Sequence, residues 1–284
     1  GKDRASIENE GKVRRMASAM SRQNEMKQMI LQLLKRGADP NVCVIPFPGL
    51  FFLIKSADVE MVRQFILRGA NVNSKLPAER GGLYPLHLSV GLPGDAGVEI
   101  TELLLNALAF PDCRAEMDES FLDPTLMEDW KKDLIPPEIE SILGGKTPLH
   151  IACAKDKDYK RNTKLVNLLL DHHANPNLIC NGHTPLSLTI ACGNDSGMEE
   201  LLRHGADPSL PLTHGVGSAL SVASSTLYEF RRSTESRLQI LHQLVAAGAD
   251  ILVPINIGAK RLSGTAVDFA YQMFGLDRRV AHLP

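Results

Sequence analysis

Nine histidines and five cysteines are the side chains of this chain best suited to acid–base or metal chemistry, and their spacing argues against both. Cys43, Cys113, Cys153, Cys180 and Cys192 are odd in number and scattered, with no paired spacing that would suit zinc. They read as small apolar residues of a protein kept reduced, in the cytoplasm or nucleus. His172 and His173 are adjacent, so on a helix they point apart, and no third ligand is spaced to help. The string Gly215-Val216-Gly217-Ser218-Ala219 imitates part of a phosphate loop, but it lacks the lysine and follows no strand of a βαβ unit. His87 and His150 both sit fourth in a recurring helix-start phrase, where a histidine bonding the neighbouring turn accounts for them. No catalytic residue, cofactor, metal or small-molecule substrate is predicted, and the chain is expected not to be an enzyme.

The elements that position these residues repeat. Leu33-Leu34-Lys35-Arg36-Gly37-Ala38-Asp39-Pro40-Asn41 returns in altered form at 66–73, 169–177, 201–208 and 244–250. Between these echoes falls a second phrase: Tyr84-Pro85-Leu86-His87, Thr147-Pro148-Leu149-His150 and Thr184-Pro185-Leu186-Ser187, with weaker forms at Ser218–Ser221 and Thr265–Asp268. Thr147 can accept a backbone N–H as an N-cap, and Pro148 suits the first helical position, where its missing donor costs nothing. A second helix over 163–172 carries Val166, Leu169 and Leu170 to the same core. A glycine ends that helix in four of the five echoes, as a left-handed turn requires, and His173 takes its place once at some strain.

Thr147-Pro148-Leu149-His150-Ile151-Ala152, followed by Leu168-Leu169-Leu170 and the Asn175-Pro176-Asn177 turn, resembles the ankyrin repeat. Gly37 and Gly69 are 32 residues apart, near that family's period of roughly 33. More narrowly, the chain looks like the ankyrin section of the proteins that join ankyrin repeats to a MYND domain, although the MYND zinc cysteines are absent from it. The fold implied is an all-α solenoid of stacked helix pairs with short β-hairpin-like fingers, since one pair cannot bury its apolar face alone. About six pairs and a partial last one are expected in a single array over 1–284: a capping pair at 8–41, repeats at 46–112 and 145–250, and a fragment at 265–284. The first residues, Gly1-Lys2-Asp3, read as the start of an excised piece behind a tag scar.

Residues 113–144 break the pattern with nine acidic residues against three basic ones and the single tryptophan, Trp130. A short amphipathic helix is plausible there from Leu122, Leu126, Trp130, Leu134 and Ile135. It either packs across its own repeats or serves as an acidic partner-binding or self-masking element. Smaller insertions, 93–98, 156–161 and 228–236, fall between inner and outer helices and should project along one edge, and exposed Arg231 and Arg232 read as a solvated face or as a contact for acidic partners.

Lys plus Arg at 31 nearly balances Asp plus Glu at 33, so no field draws the chain to nucleic acid. The most apolar stretch, 42–54, is interrupted by Pro46 and Pro48 and is too short to cross a membrane. The resemblance implies a scaffold or adaptor, expected to be monomeric, that binds a protein partner on its concave face and hairpin fingers. The resemblance places contacts on the finger residues Phe47, Leu83, Lys146 and His183 and on the inner-helix ends, including Lys55, Ser56, Leu92, Lys155, Cys192 and Ser225. Trp130 of the insertion joins them, and Val42, Val44, Ile45 and Phe47 form a second candidate patch. The same resemblance implies an alternative, in which turn residues Asn73 and Asn177 are targets of asparaginyl hydroxylation. A third role is the recognition module of a larger protein.

Overall fold

The computed structural model describes residues 2–42, 48–116, 145–155, 157–225, 228, 232–257 and 262–276, and these are helical apart from turns and one short hairpin. Phe47, Trp130 and the expected insertion helix lie outside the described residues. By compactness the chain divides into two units, 1–71 and 72–284. A solenoid module touches only its neighbours, so compactness in such a fold is local.

In the first unit, α1 (Lys2–Lys35) is one unbroken helix rather than the capping pair expected at 8–41. Its 34 residues contain no proline, and the one interior glycine, Gly11, costs only about 1 kcal/mol against alanine. Helices α2 (Gly49–Lys55) and α3 (Val59–Leu67) then form a pair over buried Phe51, Ile54, Val62 and Phe65. Asp58 caps α3 by accepting from the Met61 N–H at 3.2 Å and pairs with Lys27 Nζ of α1 at 2.5 Å.

The second unit contains four pairs: α4 (Pro85–Gly91) with α5 (Asp95–Asn106), α6 (Pro148–Cys153) with α7 (Tyr159–Asp171), α8 (Pro185–Cys192) with α9 (Asp195–Arg203), and α10 (Ala219–Ser224) with α11 (Thr234–Ala246). Antiparallel strands β1 (Ile255–Ile257) and β2 (Leu262–Gly264) follow, with Ile255 opposite Gly264, and α12 (Ala266–Leu276) closes the described chain. Inner helices α4, α6, α8 and α10 stack in order and α12 packs on α10, while α5, α7 and α9 form the outer layer. Leu86, Leu149, Leu186 and Leu220 stand at one position of the helix-start phrase, and all are buried in the seam between modules. Counting α2 with α3, the described residues hold five pairs, a lone first helix and a partial last unit.

Consecutive turns are tied by one side chain each, four residues past the left-handed turn residue. In the first unit the Asn41 side chain accepts from the Asn71 N–H at 2.7 Å and donates to the Gly69 carbonyl at 2.9 Å. In the second unit Asn73 holds Phe110 N–H and the Leu108 carbonyl in the same way, at 2.8 and 3.0 Å. Asn177 does so for Asp207 and Gly205, at 2.8 and 3.2 Å, and Ser209 for Asp250 and Gly248, at 2.8 and 3.1 Å. Asp112 has no donor and only accepts from the Asn175 N–H at 2.9 Å. The turn residue itself is glycine at 37, 69, 205 and 248 but leucine at 108 and histidine at 173, both with positive φ. The turn at 108 went unnoticed among the sequence echoes because Leu108 occupies the glycine position.

Removing one of these ties leaves two backbone groups of the next turn to water. Asn177→Ala is expected to lower unfolding free energy by about 1–2 kcal/mol, seen as a fall in the urea midpoint, because partly exposed hydrogen bonds each contribute about 1 kcal/mol. An unchanged midpoint would mean the ties are decorative.

Candidate partner-binding surface

Inner helices α6 and α8 begin with reciprocal caps. Thr147 Oγ1 accepts from the His150 N–H at 3.4 Å, and His150 Nδ1 accepts in return from the Thr147 N–H at 3.3 Å. Its Nε2 then reaches the Leu178 carbonyl at 3.1 Å, in the following finger. His87 repeats the arrangement, with Nδ1 3.2 Å from the Tyr84 N–H and Nε2 2.9 Å from the Lys146 carbonyl. A carbonyl can only accept, so each Nε2 carries the proton and each Nδ1 the lone pair, the neutral tautomer. Ser187, Ser221 and Asp268 fill the same slot in later modules. Burial pushes His87 and His150 down to about 4, and both are engaged at both nitrogens as structural ties between modules.

The fingers pair by backbone bonds at equivalent places: Leu76 N–H to Leu83 carbonyl at 2.8 Å, Cys180 N–H to His183 carbonyl at 2.9 Å with the return bond at 3.0 Å, and Leu212 N–H to Gly217 carbonyl at 2.8 Å. Before α6 the corresponding bond runs from Ala115 N–H to the Lys146 carbonyl at 3.0 Å. Residues 115 and 146, on either side of the undescribed stretch, are thus one hydrogen bond apart, and the repeat pattern continues after it. Its first residues are held down: Glu116 N–H donates to the Gly81 carbonyl at 3.0 Å and the Glu116 carboxylate pairs with Lys75 at 2.8 Å.

At the opposite ends of the inner helices, the orphan carbonyls are capped by side chains of other modules. Arg161, at the start of α7, is buried and donates to the carbonyls of Val90 at 3.2 Å and Gly94 at 3.0 Å, and also to that of Leu92. Lys155 Nζ donates to Val90 and Gly91 carbonyls at 3.0 and 3.1 Å, and burial, then the nearby Arg161 cation, push it down to about 8. Tyr159 Oη donates to the Cys192 carbonyl at 2.8 Å. Arg232 was expected on a solvated face, yet it pairs with Asp195 at 2.5 Å and its side chain is 7% exposed. A helix end leaves four carbonyls without partners, and a guanidinium fork satisfies several at once. The residues of the small insertions 156–161 and 228–236 thus serve the stack in part; Arg231 lies outside the described residues. Sequence reading missed Arg161 and Tyr159 in this role, since a capping side chain from another module, 67 and 71 residues away for Arg161 and 33 for Tyr159, leaves no local pattern.

The expected contact residues divide by burial. Lys55 and Ser56 are exposed, whereas Leu83, Leu92, Lys155 and Cys192 are half-buried. Three expectations of exposure fail. His183 is 4% exposed, because its ring bonds Ser187 Oγ at 3.1 Å and meets the edge of Tyr228. Lys146 is 9% exposed, drawn inward by a carbonyl that accepts from both His87 and Ala115. Ser225 is wholly buried, because α10 ends one residue earlier and Arg237 Nη1 takes the Ser225 carbonyl at 2.7 Å. Leu108 and Phe110, unremarked in the sequence, are strongly exposed on a turn. Asn73 and Asn177 are half-buried in their turns with both amide ends engaged. Among the described residues no three His, Cys, Asp or Glu side chains gather as a metal ion requires, and no helix is long and apolar enough to cross a membrane.

The buried imidazoles give stability a defined pH dependence. His87, His150 and His183 titrate near 4 when folded, against 6.5 ordinarily, so between those values the unfolded chain binds more protons. The urea midpoint is expected to fall as pH drops from about 6.5 toward 4, and to fall less steeply in His150→Leu measured against its own value at pH 7.5. Parallel profiles for the two proteins would remove His150 from this account.

A family model described as ankyrin repeats in three copies matches residues 126–211. The ankyrin repeat and MYND domain-containing protein 1 of Mus musculus is 41% identical over 294 aligned residues, covering 96% of this chain and 32% of that protein. The human protein of the same name is 42% identical, covering 96% of this chain and 31% of its own length. The chain thus spans about a third of these curated relatives. Among solved structures, the ankyrin repeat protein EF0377 superposes with a TM-score of 0.55 at 18% identity, covering 83% of this chain and 98% of that one, which bears on fold alone. Ankyrin repeats are generally protein–protein interaction modules and typically not enzymes. By its repeats, its relatives and its fold, this chain is an ankyrin-repeat array.

Proposed function

We propose that the chain is a scaffold that holds a partner protein on its fingers and on the ends of its inner helices. The observation that carries this reading is how the polar groups are divided. The recurring polar chemistry of the repeats, the His and Ser caps, the turn ties and the Arg161 fork, is consumed in joining modules to each other. What is left for contact is a mixed set with no common charge, Lys55 and Ser56 in the first unit and Leu83, Leu92 and Cys192 in the second. Such a set suits recognition of a protein surface better than of a phosphate backbone, which requires a basic field. The free thiols of Cys113, Cys153, Cys180 and Cys192 fit a reducing compartment, cytoplasmic or nuclear. Because the relatives are about three times as long, the array is read as the recognition part of a larger protein.

A second reading, modification at Asn73 and Asn177 by asparaginyl hydroxylation, rests on their place in exposed turns. Both amides are already held at each end, so an enzyme acting there would have to open the turn. Intact-mass measurement of protein taken from cells decides it: no added oxygen on either residue ends that reading.

Affinity capture with the purified chain tests the scaffold. Lys55→Glu in one protein is expected to leave the melting temperature within a few degrees of the parent, because surface changes usually alter stability by under about 0.5 kcal/mol, while Leu83→Ser with Leu92→Ser in another lowers it without unfolding the chain, both side chains being half-buried. At least one should reduce a specifically captured partner about fivefold or more, the loss of roughly 1 kcal/mol at an energetically important side chain. A partner captured equally by all three proteins would remove these residues from the site and direct attention to the insertion or the opposite edge.

A further inference from the structure

The first helix is far longer than its packing requires. At about 1.5 Å per residue, α1 extends roughly 50 Å, while its partner α3 has nine residues and the only buried α1 side chain among those described is Leu34. Ile30, Leu31 and Leu34 lie toward the pair, and the same helical face runs back through Met20, Met16 and Val13, where it is bare: these three are 60–68% exposed. Every described side chain from 12 to 26 is exposed. Over residues 12–26 the remaining faces carry four basic residues, Lys12, Arg14, Arg15 and Arg22, against one acidic residue, Glu25.

We propose that residues 12–26 of α1 are a docking helix for a protein whose groove is apolar, methionine-lined and rimmed by carboxylates, the chemistry of an opened EF-hand pair. Charge complementarity selects this occupant. A second copy of α1 would bring four like charges against four, which disfavours self-pairing. A lipid surface takes basic helices through Trp, Phe and Leu anchors, and the bare face has none of these, only Val13, Met16, Ala17 and Met20. Unbranched, polarisable methionines instead suit an adaptable groove that accepts a helix by its i, i+3 and i+7 positions, here 13, 16 and 20. These residues are not among those of the scaffold reading, so the proposal stands or falls independently of it.

Titration of the whole chain with calcium-loaded calmodulin, followed by calorimetry, supplies the probe. Saturable one-to-one binding is expected, lost when calcium is chelated and weakened about tenfold or more both by Met16→Ser with Met20→Ser and by Arg14→Glu with Arg22→Glu, a change of about 1.4 kcal/mol per decade. Because these side chains are exposed, the melting temperature of each variant should match the parent, which separates lost docking from lost folding. No saturable heat up to about 100 μM, a very weak affinity by any measure, overturns the proposal. So does binding that neither pair of changes affects. Two further outcomes would replace it: a dimer by light scattering that the methionine changes abolish, or sedimentation with phosphatidylserine vesicles as tight as calmodulin binding.

Discussion

Everything in this fold depends on one constraint, that a module of two short helices cannot satisfy its own polar groups. Helices of six to thirteen residues leave most of their N–H and C=O groups at the ends without intrahelical partners. Here neighbours supply them. A histidine at the start of one inner helix reaches the finger of the next module, an asparagine in one turn holds the backbone of the following turn, and an arginine caps the helix before it. Apolar burial in the seam provides the driving force, but Leu86, Leu149 and Leu186 would tolerate some sliding. The hydrogen bonds between modules fix the register.

That division of labour explains why residues that look chemical are not. His87, His150 and His183 are buried, neutral and committed, so their lowered proton affinity reflects burial inside a joint and not a poised acid–base pair. Cys113 is similar: burial pushes its thiol up to about 12, the opposite of an activated nucleophile. What the joints leave over is an irregular surface, which is why partner choice in such arrays can vary while the scaffold does not.

The same joints explain how the array carries a thirty-residue excursion. The Lys146 carbonyl accepts from Ala115 and from His87, so the residue before the undescribed stretch and the module before it both hold the point where the described chain resumes. Entry and exit are a hydrogen bond apart, and nothing further along the stack needs to adjust.

Helix pairs, their order and their shared core follow from the residues alone. Thr-Pro-Leu-His starts, glycine-ended second helices and a period near 33 are local signals, each with a local cause in capping, proline geometry and left-handed turns. Even the ties between turns stand in the sequence, as Asn41, Asn73, Asp112, Asn177 and Ser209 share one place in the repeated phrase. Which way a side chain faces was decided elsewhere. Lys146 and His183 read as finger residues and are buried, and Arg232 reads as solvated and is paired. Arg161 reads as nothing in particular, yet it caps a helix some seventy positions earlier. Burial and pairing depend on atoms brought close by stacking from distant parts of the chain, and periodicity carries no information about those distances. The length of α1 lies between the two cases: its unbroken helix follows from the absence of proline, but only the packed pair beside it reveals how much of its apolar face remains uncovered.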